Sequence, residues 1–343
     1  MKMIIEQLTQ NDENLWDDYV LKTDGATFYH LIGWKKLVEK VLRFKSIYLA
    51  AKEGPEIVGI LPLFLTKNLF FGRKLISVPF AVAGGVCTNS DEAASALINR
   101  AIEVTKELNL DYLELRHADE KRGQLITSSN YVNFILDLDS GPDHIWKNLR
   151  SSLRRCIRRS MENGLEIELE ATDIDEFYKL YSMGQRNFGT PIQGYNWIKN
   201  LFCSLQKYHS IVKVRYKNET IAISMVRKFK GSVSEILGYD LRNYRNLYPN
   251  HFLEWKLIED SCHQNYKTFE FGRSLPDSGT YYFKKGWAAK PTPLYYQYYL
   301  NNVKAVPDLS QNNPKRQRFA KMWRMMPLPM ANMIGPIIRG CFP

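Results

Sequence analysis

Most of the short signatures that announce a chemistry are missing from this sequence. It has no Gly-x-x-x-x-Gly-Lys-Ser/Thr phosphate loop and no Gly-x-Gly-x-x-Gly, so the common nucleotide and dinucleotide turns are excluded. No Gly-x-Ser-x-Gly elbow is present, and no Ser-His-Asp or Cys-His constellation can be read, which argues against a covalent enzyme intermediate. The five cysteines are far apart, odd in number and never in a Cys-x-x-Cys pair; reduced thiols, no zinc site and a cytoplasmic location are expected. The six histidines have no metal-ligand spacing, and His117, after Arg116 at a strand end, is the most interesting of them. No apolar run is long enough to cross a bilayer. The opening Met1-Lys-Met-Ile-Ile-Glu-Gln does not read as a signal peptide, and Cys341-Phe-Pro343 is one residue short of a prenylation box.

Acid is also scarce in two places. After Asp308 the chain has none, yet carries Lys315, Arg316, Arg318, Lys321, Arg324 and Arg339. Between Lys147 and Arg159 there are six cations and again no acid. Much of the net charge of +11 is therefore concentrated, which suits an anionic partner such as nucleic acid, anionic lipid or a polyphosphate.

What is present reads as one plan used twice. Residues 46–65 and 210–229 each pattern as strand, tight turn, strand. Helical patterns precede each hairpin, near 11–22 and 30–42, then near 174–187 and 195–207. A helix follows each (about 91–108 and about 250–264), and then a strand ending in arginine, Tyr112 to Arg116 and Phe269 to Arg273. With 343 residues, 45% hydrophobic, the expectation is an α/β (α+β) chain of two similar mixed-sheet domains, 1–140 and 141–305, and a basic tail, 306–343. Between the copies, Trp146, Leu149, Leu153 and Ile157 form an apolar helical stripe, beside a row of Arg150, Arg154 and Arg158.

The segment from Phe269 to Trp287 carries the strongest chemical suggestion. Its strand is expected to stop at Gly272, leaving Arg273 and Ser274 at the strand's edge before Pro276, Asp277, Ser278 and Gly279 break regular structure. Lys284 and Lys285 then close a loop. A guanidinium and an ammonium on a glycine-bearing loop make a pocket for a phosphate or a developing oxyanion.

These segments together resemble the FemAB family of aminoacyltransferases, and more closely its subgroup encoded beside exosortase and extracellular-polysaccharide genes. The resemblance rests on Leu69 to Phe80 with Gly84 and Gly85, on Arg154 to Arg159 before Gly164 and Leu165, and on Asn187 to Pro191. It continues through Phe271 to Ser274, Gly279 with Thr280, and Phe283 to Trp287, and ends in Trp323, Pro327 to Pro329 and Gly335 with Pro336. It implies two tandem acyl-CoA N-acyltransferase (GNAT)-like domains and transfer of an aminoacyl or acyl group to an amine, with no bound cofactor or metal. The donor implied is aminoacyl-tRNA or acyl-CoA, and the acceptor a nucleotide- or lipid-linked glycan or peptide of the cell envelope. Lys284 matches the family's Phe-Lys-x-x-Phe/Trp lysine, and Gly272 with Arg273 its Phe-Gly-Arg motif. The family pattern is not complete: Gly286 stands where many members have glutamine, and Ala288 where they have glycine. The coiled-coil arm of the cross-bridge enzymes has no counterpart in the sequence. An acyl-CoA loop would show Arg/Gln-x-x-Gly-x-Gly/Ala before a helix; the nearest match, Arg186 to Pro191, has proline for the second glycine.

On this reading Lys284, with Arg273, stabilises an oxyanion, and Gly272, Ser274, Gly279, Thr280, Tyr281, Lys285, Arg186, Gly189, Thr190, Arg154 and Arg158 bind substrate. Glu270 is a candidate base or a solvent-facing strand residue. In the tail, Phe319, Met322, Trp323 and Met326 recur at helical spacing among cations, which fits either peripheral contact of 315–339 with an anionic membrane or packing on the chain's own domain. An acyl-CoA-dependent N-acyltransferase acting on an amino sugar or other small amine and a non-catalytic nucleic-acid-binding protein are the alternative classes.

Overall fold

The computed structural model describes residues 2–68, 72–118, 121–306 and 314–340. Leu69 to Phe71 and Cys341 lie outside them, as do 307–313 at the start of the tail; the side chains of Lys315 and Arg316 are likewise not described. In chain order the first elements are β1 (Met3–Gln7), α1 (Glu13–Lys22), α2 (Ile32–Leu42), β2 (Lys45–Glu53), β3 (Glu56–Asn68), β4 (Gly72–Ile76), α3 (Asp91–Glu107), β5 (Tyr112–His117) and β6 (Ile126–Asp137). Next come α4 (Gly141–Asn148), α5 (Ser151–Glu162), β7 (Glu166–Ala171), α6 (Ile174–Phe188), α7 (Tyr195–Ser204), β8 (His209–Tyr216), β9 (Glu219–Phe229) and β10 (Ser232–Asp240). The chain ends with α8 (Pro249–His263), β11 (Thr268–Ser274), α9 (Gly279–Lys285), β12 (Lys290–Leu300), α10 (Pro314–Met325) and α11 (Leu328–Gly340).

Two compact units result: residues 1–131 with 293–310 and 340–343, and residues 132–292 with 311–339. The sequential blocks expected from sequence therefore need revision at their ends. In the first unit the strand order is β1-β2-β3-β4-β5-β12, and only β4 and β5 run parallel. The second repeats it as β7-β8-β9-β10-β11-β6, with β10 and β11 the parallel pair. Each unit thus closes its order with a strand from elsewhere in the chain: β12 pairs β5 from Tyr295↔His117 to Leu300↔Tyr112, and β6 pairs β11. That return explains why 293–310 leaves the second block.

The alternation seen in the sequence builds both cores. In the first unit Leu49, Leu61, Leu63, Leu75, Leu113 and Leu115 pack against Leu97, Ala101 and Val104 of α3. In the second, Val212, Val226, Val233, Phe269 and Phe271 pack against α8, α5 and the fully buried Trp287. Two local readings are corrected. The apolar stripe of 146–157 is not one helix, because the chain is extended at Leu149 and Arg150 between α4 and α5. The loop of 275–285 contains α9, whose first turn is capped by Ser278, its Oγ accepting from the Tyr281 N–H at 3.2 Å. Serine before the helix acted as a cap where the sequence suggested only a breaker.

Candidate active site

The site in the second unit begins with a defect in its sheet. The parallel register of β10 and β11 runs from Ser232↔Thr268 to Ser234↔Glu270, and no pairing between them continues beyond it among the described residues. Each strand bulges just there, β10 between Glu235 and Leu237, β11 between Glu270 and Gly272. Gly272 takes φ +74°, a left-handed conformation glycine adopts at little cost. β11 does not stop at Gly272, as expected, but runs on to Ser274.

Lys284, in the last turn of α9, folds back onto this bulge. Its Nζ donates to the carbonyls of Gly272 at 2.9 Å and Arg273 at 3.1 Å. An ammonium has three N–H donors, so one remains for another acceptor. Burial pushes its pKa down to about 8, against the upward pull of Glu235 first and the neighbouring Glu254 second, and the Arg273 charge lowers it further. Lys285 differs: it is exposed, with its Nζ 6.0 Å from the Tyr281 ring centroid.

Two acids absent from the sequence reading complete the group. Glu235 lies at the β10 bulge and accepts from Ser224 Oγ at 2.8 Å. A Cβ on Gly238 would come within 2.5 Å of its Oε1, so the glycine makes room for the carboxylate. Glu254, on α8, is buried, and its Oε2 has no hydrogen-bond partner. Burial first, and the adjacent Glu235 second, push its pKa well above the carboxylate range. A signal for Glu254 did exist: it shares a helical face with Leu257, Ile258 and Ser261, all buried.

The Ser274 hydroxyl is also buried without a hydrogen-bond partner. Buried polar atoms are normally satisfied, so one unpartnered oxygen of Glu254, whose carboxyl otherwise bonds Glu235, and the Ser274 hydroxyl are each a place where a ligand or water completes the set.

Comparison with known proteins bears on the fold. Residues 147–285 match the family model described as an acetyltransferase (GNAT) domain. The chain is similar to the crystal structure of FemX, at 13% identity and a TM-score of 0.70, over 88% of this chain and 98% of that one. It is similar to a tandem GNAT protein from the clavulanic acid biosynthesis pathway, at 9% identity and 0.56, over 89% and 100%. The fold has FemAB-like tandem GNAT architecture. The C-terminal domain of a proposed lysylphosphatidylglycerol synthetase from Agrobacterium fabrum is also similar, at 11% identity and 0.57, over 94% and 96%. None of the curated proteins matches in sequence. Residues 147–285 of the second unit thus match a GNAT domain, and within them Glu235 stands on the bulged β10 and Glu254 on α8.

The remaining candidates fall in three places. Gly279, Thr280 and Tyr281 form the first turn of α9; Thr280 Oγ1 is 3.0 Å from Ser278 Oγ, and the Tyr281 ring packs edge-on against Phe134 at 5.1 Å. Arg154 and Arg158 lie on α5, where Arg158 stacks 5.6 Å over the Trp146 ring; the helix starts beside the end of α9, with the Arg150 N–H 3.5 Å from the Gly286 carbonyl. Arg186, Gly189 and Thr190 end α6 and do not open a helix in the manner of an acyl-CoA loop. Gly189, at φ +77°, caps α6, and a Cβ there would lie 2.6 Å from the Ala320 carbonyl of α10. The Lys284 ammonium bonds none of these residues. Glu270 is part-exposed, its side chain 29% accessible, and it is engaged: Ser232 Oγ and Ser234 Oγ donate to it at 3.0 and 3.2 Å, and Arg227 lies 3.7 Å away. Arg273 is exposed, and it reaches Lys284 through its carbonyl.

Proposed function

We propose that this protein is an acyltransferase that forms an amide by moving an aminoacyl or acyl group from aminoacyl-tRNA or acyl-CoA to an amine of a cell-envelope or exopolysaccharide precursor. The observation that carries the reading is Lys284, fixed by two carbonyls beside the Glu235 and Glu254 carboxyls at the parted strands. The acceptor amine attacks the donor carbonyl, forming the C–N bond and an oxyanion. The third N–H of Lys284 receives that oxyanion, at a position where the low dielectric makes a charged donor effective. Glu235 takes the proton lost by nitrogen. Glu254, protonated through burial, gives one to the leaving oxygen or sulfur as the ester or thioester bond breaks. One proton leaves the amine and one reaches the leaving group, with no covalent enzyme intermediate.

The test compares two neighbouring lysines. Lys284→Ala is expected to lower single-turnover amide formation about a hundredfold to a thousandfold, the usual effect of one oxyanion donor, while Lys285→Ala changes it little. Equal activity in the two variants would remove the support for this assignment. The donor is decided separately: protection from thermal unfolding by CoA and not by charged tRNA would select the acyl-CoA reading.

Peripheral attachment to the inner face of an anionic membrane belongs to the same proposal. One side of the tail is anchored on the second unit through buried Trp323, Ala331 and Gly335, with Gly335 against Ile192 and Asn332 Nδ2 donating to Ser182 Oγ at 3.4 Å. The sequence reading offered packing and membrane contact as alternatives, and the arrangement allows both. Met322, Met325, Met333 and Ile337 stand 72%, 85%, 68% and 73% exposed, with Arg318, Lys321 and Arg324 exposed nearby. No helix of the described residues is long and apolar enough to cross a membrane. Met325→Asp with Met333→Asp is expected to release the protein from phosphatidylglycerol vesicles in flotation; unchanged flotation would refute the attachment.

A further inference from the structure

A lysine nitrogen has three positions beyond its carbon, whether it is an ammonium or an amine. At Lys284 two of them are committed, to the Gly272 carbonyl at 2.9 Å and the Arg273 carbonyl at 3.1 Å. An ammonium carries its third N–H in the remaining position, and a neutral amine carries its lone pair there. The same two carbonyls therefore aim a nucleophilic lone pair along the direction that otherwise serves an oxyanion. Both belong to β11 just beyond its bulge, so backbone sets the aim.

The amine form is accessible here. Three charged groups bear on this nitrogen: Glu235 from β10, Glu254 from α8 and Arg273 from β11. Burial outweighs the two acids and brings Lys284 to about 8. Roughly a tenth of the side chain is then free amine at pH 7, against about one in two thousand for a lysine of ordinary pKa. A less basic nitrogen is also a weaker nucleophile, by roughly tenfold over such a drop at a Brønsted slope near one half. The gain in population still exceeds that loss by about tenfold. Lys284 is only half-buried, so a reagent can reach it. Lys285, next along α9, is exposed and sits over the Tyr281 ring, its Nζ 6.0 Å from the centroid.

We propose that Lys284 is a self-acylation site: without an acceptor amine, its Nζ attacks the carbonyl of a thioester or activated ester donor. The lone pair forms a C–N bond to the acyl carbon while the C–S or C–O bond to the leaving group breaks. Glu235 takes the one proton released by nitrogen, and Glu254 supplies one to the leaving sulfur or oxygen. The product is a secondary amide, with one N–H and no charge. It can satisfy only one of the Gly272 and Arg273 carbonyls, and its charge is lost to the oxyanion. An amide does not pass its acyl group on, so this is an end state and not an intermediate. Donor in excess of acceptor would thus switch the enzyme off. The inference rests on the donor carbonyl lying at Lys284, as in the function proposed above.

S-Acetyl-N-acetylcysteamine, a small thioester, and p-nitrophenyl acetate, an activated ester, serve as probes, since both are small enough to act without the recognition of a whole donor. Full-length protein is incubated with each, without an acceptor amine, and digested with chymotrypsin. Acetylation of Lys284 and Lys285 is then read from fragment masses. Lys284 is expected to react about tenfold faster than Lys285 at pH 7, its rate rising about tenfold to pH 9 and then levelling off. Equal rates at the two lysines would overturn the proposal, as would a Lys284 rate that kept climbing steeply beyond pH 9. Turnover separates this inference from the reading beneath it. Loss of amide formation in Lys284→Ala, with no selective acetylation of Lys284 in the unaltered protein, sinks the self-acylation alone. Selective acetylation together with full activity in Lys284→Ala sinks the transfer mechanism and leaves the modification site standing.

Discussion

The same parallel strand pair occurs in both units and is finished in opposite ways. In the first, β4 and β5 are joined from Lys74↔Tyr112 to Ile76↔Glu114, and the chain then bridges the pair further. The Ser77 N–H donates to the Glu114 carbonyl at 3.0 Å, Ser77 Oγ accepts from the Arg116 N–H at 3.1 Å, and the Gly84 N–H donates to the Arg116 carbonyl at 3.0 Å. The charges there satisfy each other: Lys74 Nζ lies 2.7 Å and Arg116 2.9 Å from the Glu114 carboxylate. Burial alone would raise Glu114, but the two cations outweigh it and hold it at about 2. In the second unit β10 and β11 bulge apart, and the titratable groups there are a buried acid pushed well above the carboxylate range and a lysine brought down to about 8. One duplicated frame thus spends its buried charge on structure in one copy and leaves it titratable in the other. Displaced pKa values in a cleft are what acid–base chemistry requires, and a mutually saturated trio is not.

The largest expected effects come from removing one acid in each copy. Glu114→Gln leaves two cations buried without their counter-charge, and stability measured by urea denaturation is expected to fall by about 3–5 kcal/mol. Glu235→Gln should leave stability nearly unchanged and lower the rate of amide formation about a hundredfold to ten-thousandfold. If Glu235→Gln unfolded the protein and kept its specific activity, the contrast between the copies would be gone.

A smaller effect is expected from pH. Lys284 is held at about 8, so its charge is present below that value and is lost as pH rises through it. If the ammonium serves the oxyanion, the rate should fall about tenfold between pH 7 and pH 9. Glu114, held at about 2, stays ionised over that whole range and contributes nothing to the change. A rate that climbed through pH 8 would make Lys284 a base and reverse its assigned role.

Much of the frame was legible in the sequence because burial imposes period. Hairpins 46–65 and 210–229 appear as β2–β3 and β8–β9, and the helices expected around them appear as α1, α2, α3, α6, α7 and α8. The exchange of β6 and β12 was not legible, since nothing local in either strand names its partner. At the candidate site, Lys284 was legible through a motif, whereas Glu235 carries no motif and its neighbours, Ser224 and Glu254, come from other elements. The basic helix was seen, but its break at Leu149 was not, because the apolar spacing continues across it. Arg186, Gly189 and Thr190 resembled a binding loop in composition and lie instead at a helix end beneath α10.

The smallest effect separates packing from chemistry within the strand pair itself. Gly238 has no side chain, and Glu235 Oε1 occupies the space a Cβ would need, 2.5 Å away. In Gly238→Ala the carboxylate must swing aside, which a flexible side chain can do at little cost in stability. The rate should fall only a few-fold, because the group survives but no longer meets Ser224 Oγ in the same place. Ser77, fully buried, is its opposite number in the first unit, since its hydroxyl spans the strand ends there. Ser77→Ala removes the acceptor for the Arg116 N–H and should cost about 1–3 kcal/mol of stability with the rate per folded molecule unchanged. Both are read from one urea titration and one single-turnover series on each variant. A few-fold rate loss in Ser77→Ala, with none in Gly238→Ala, would place the chemistry in the wrong copy.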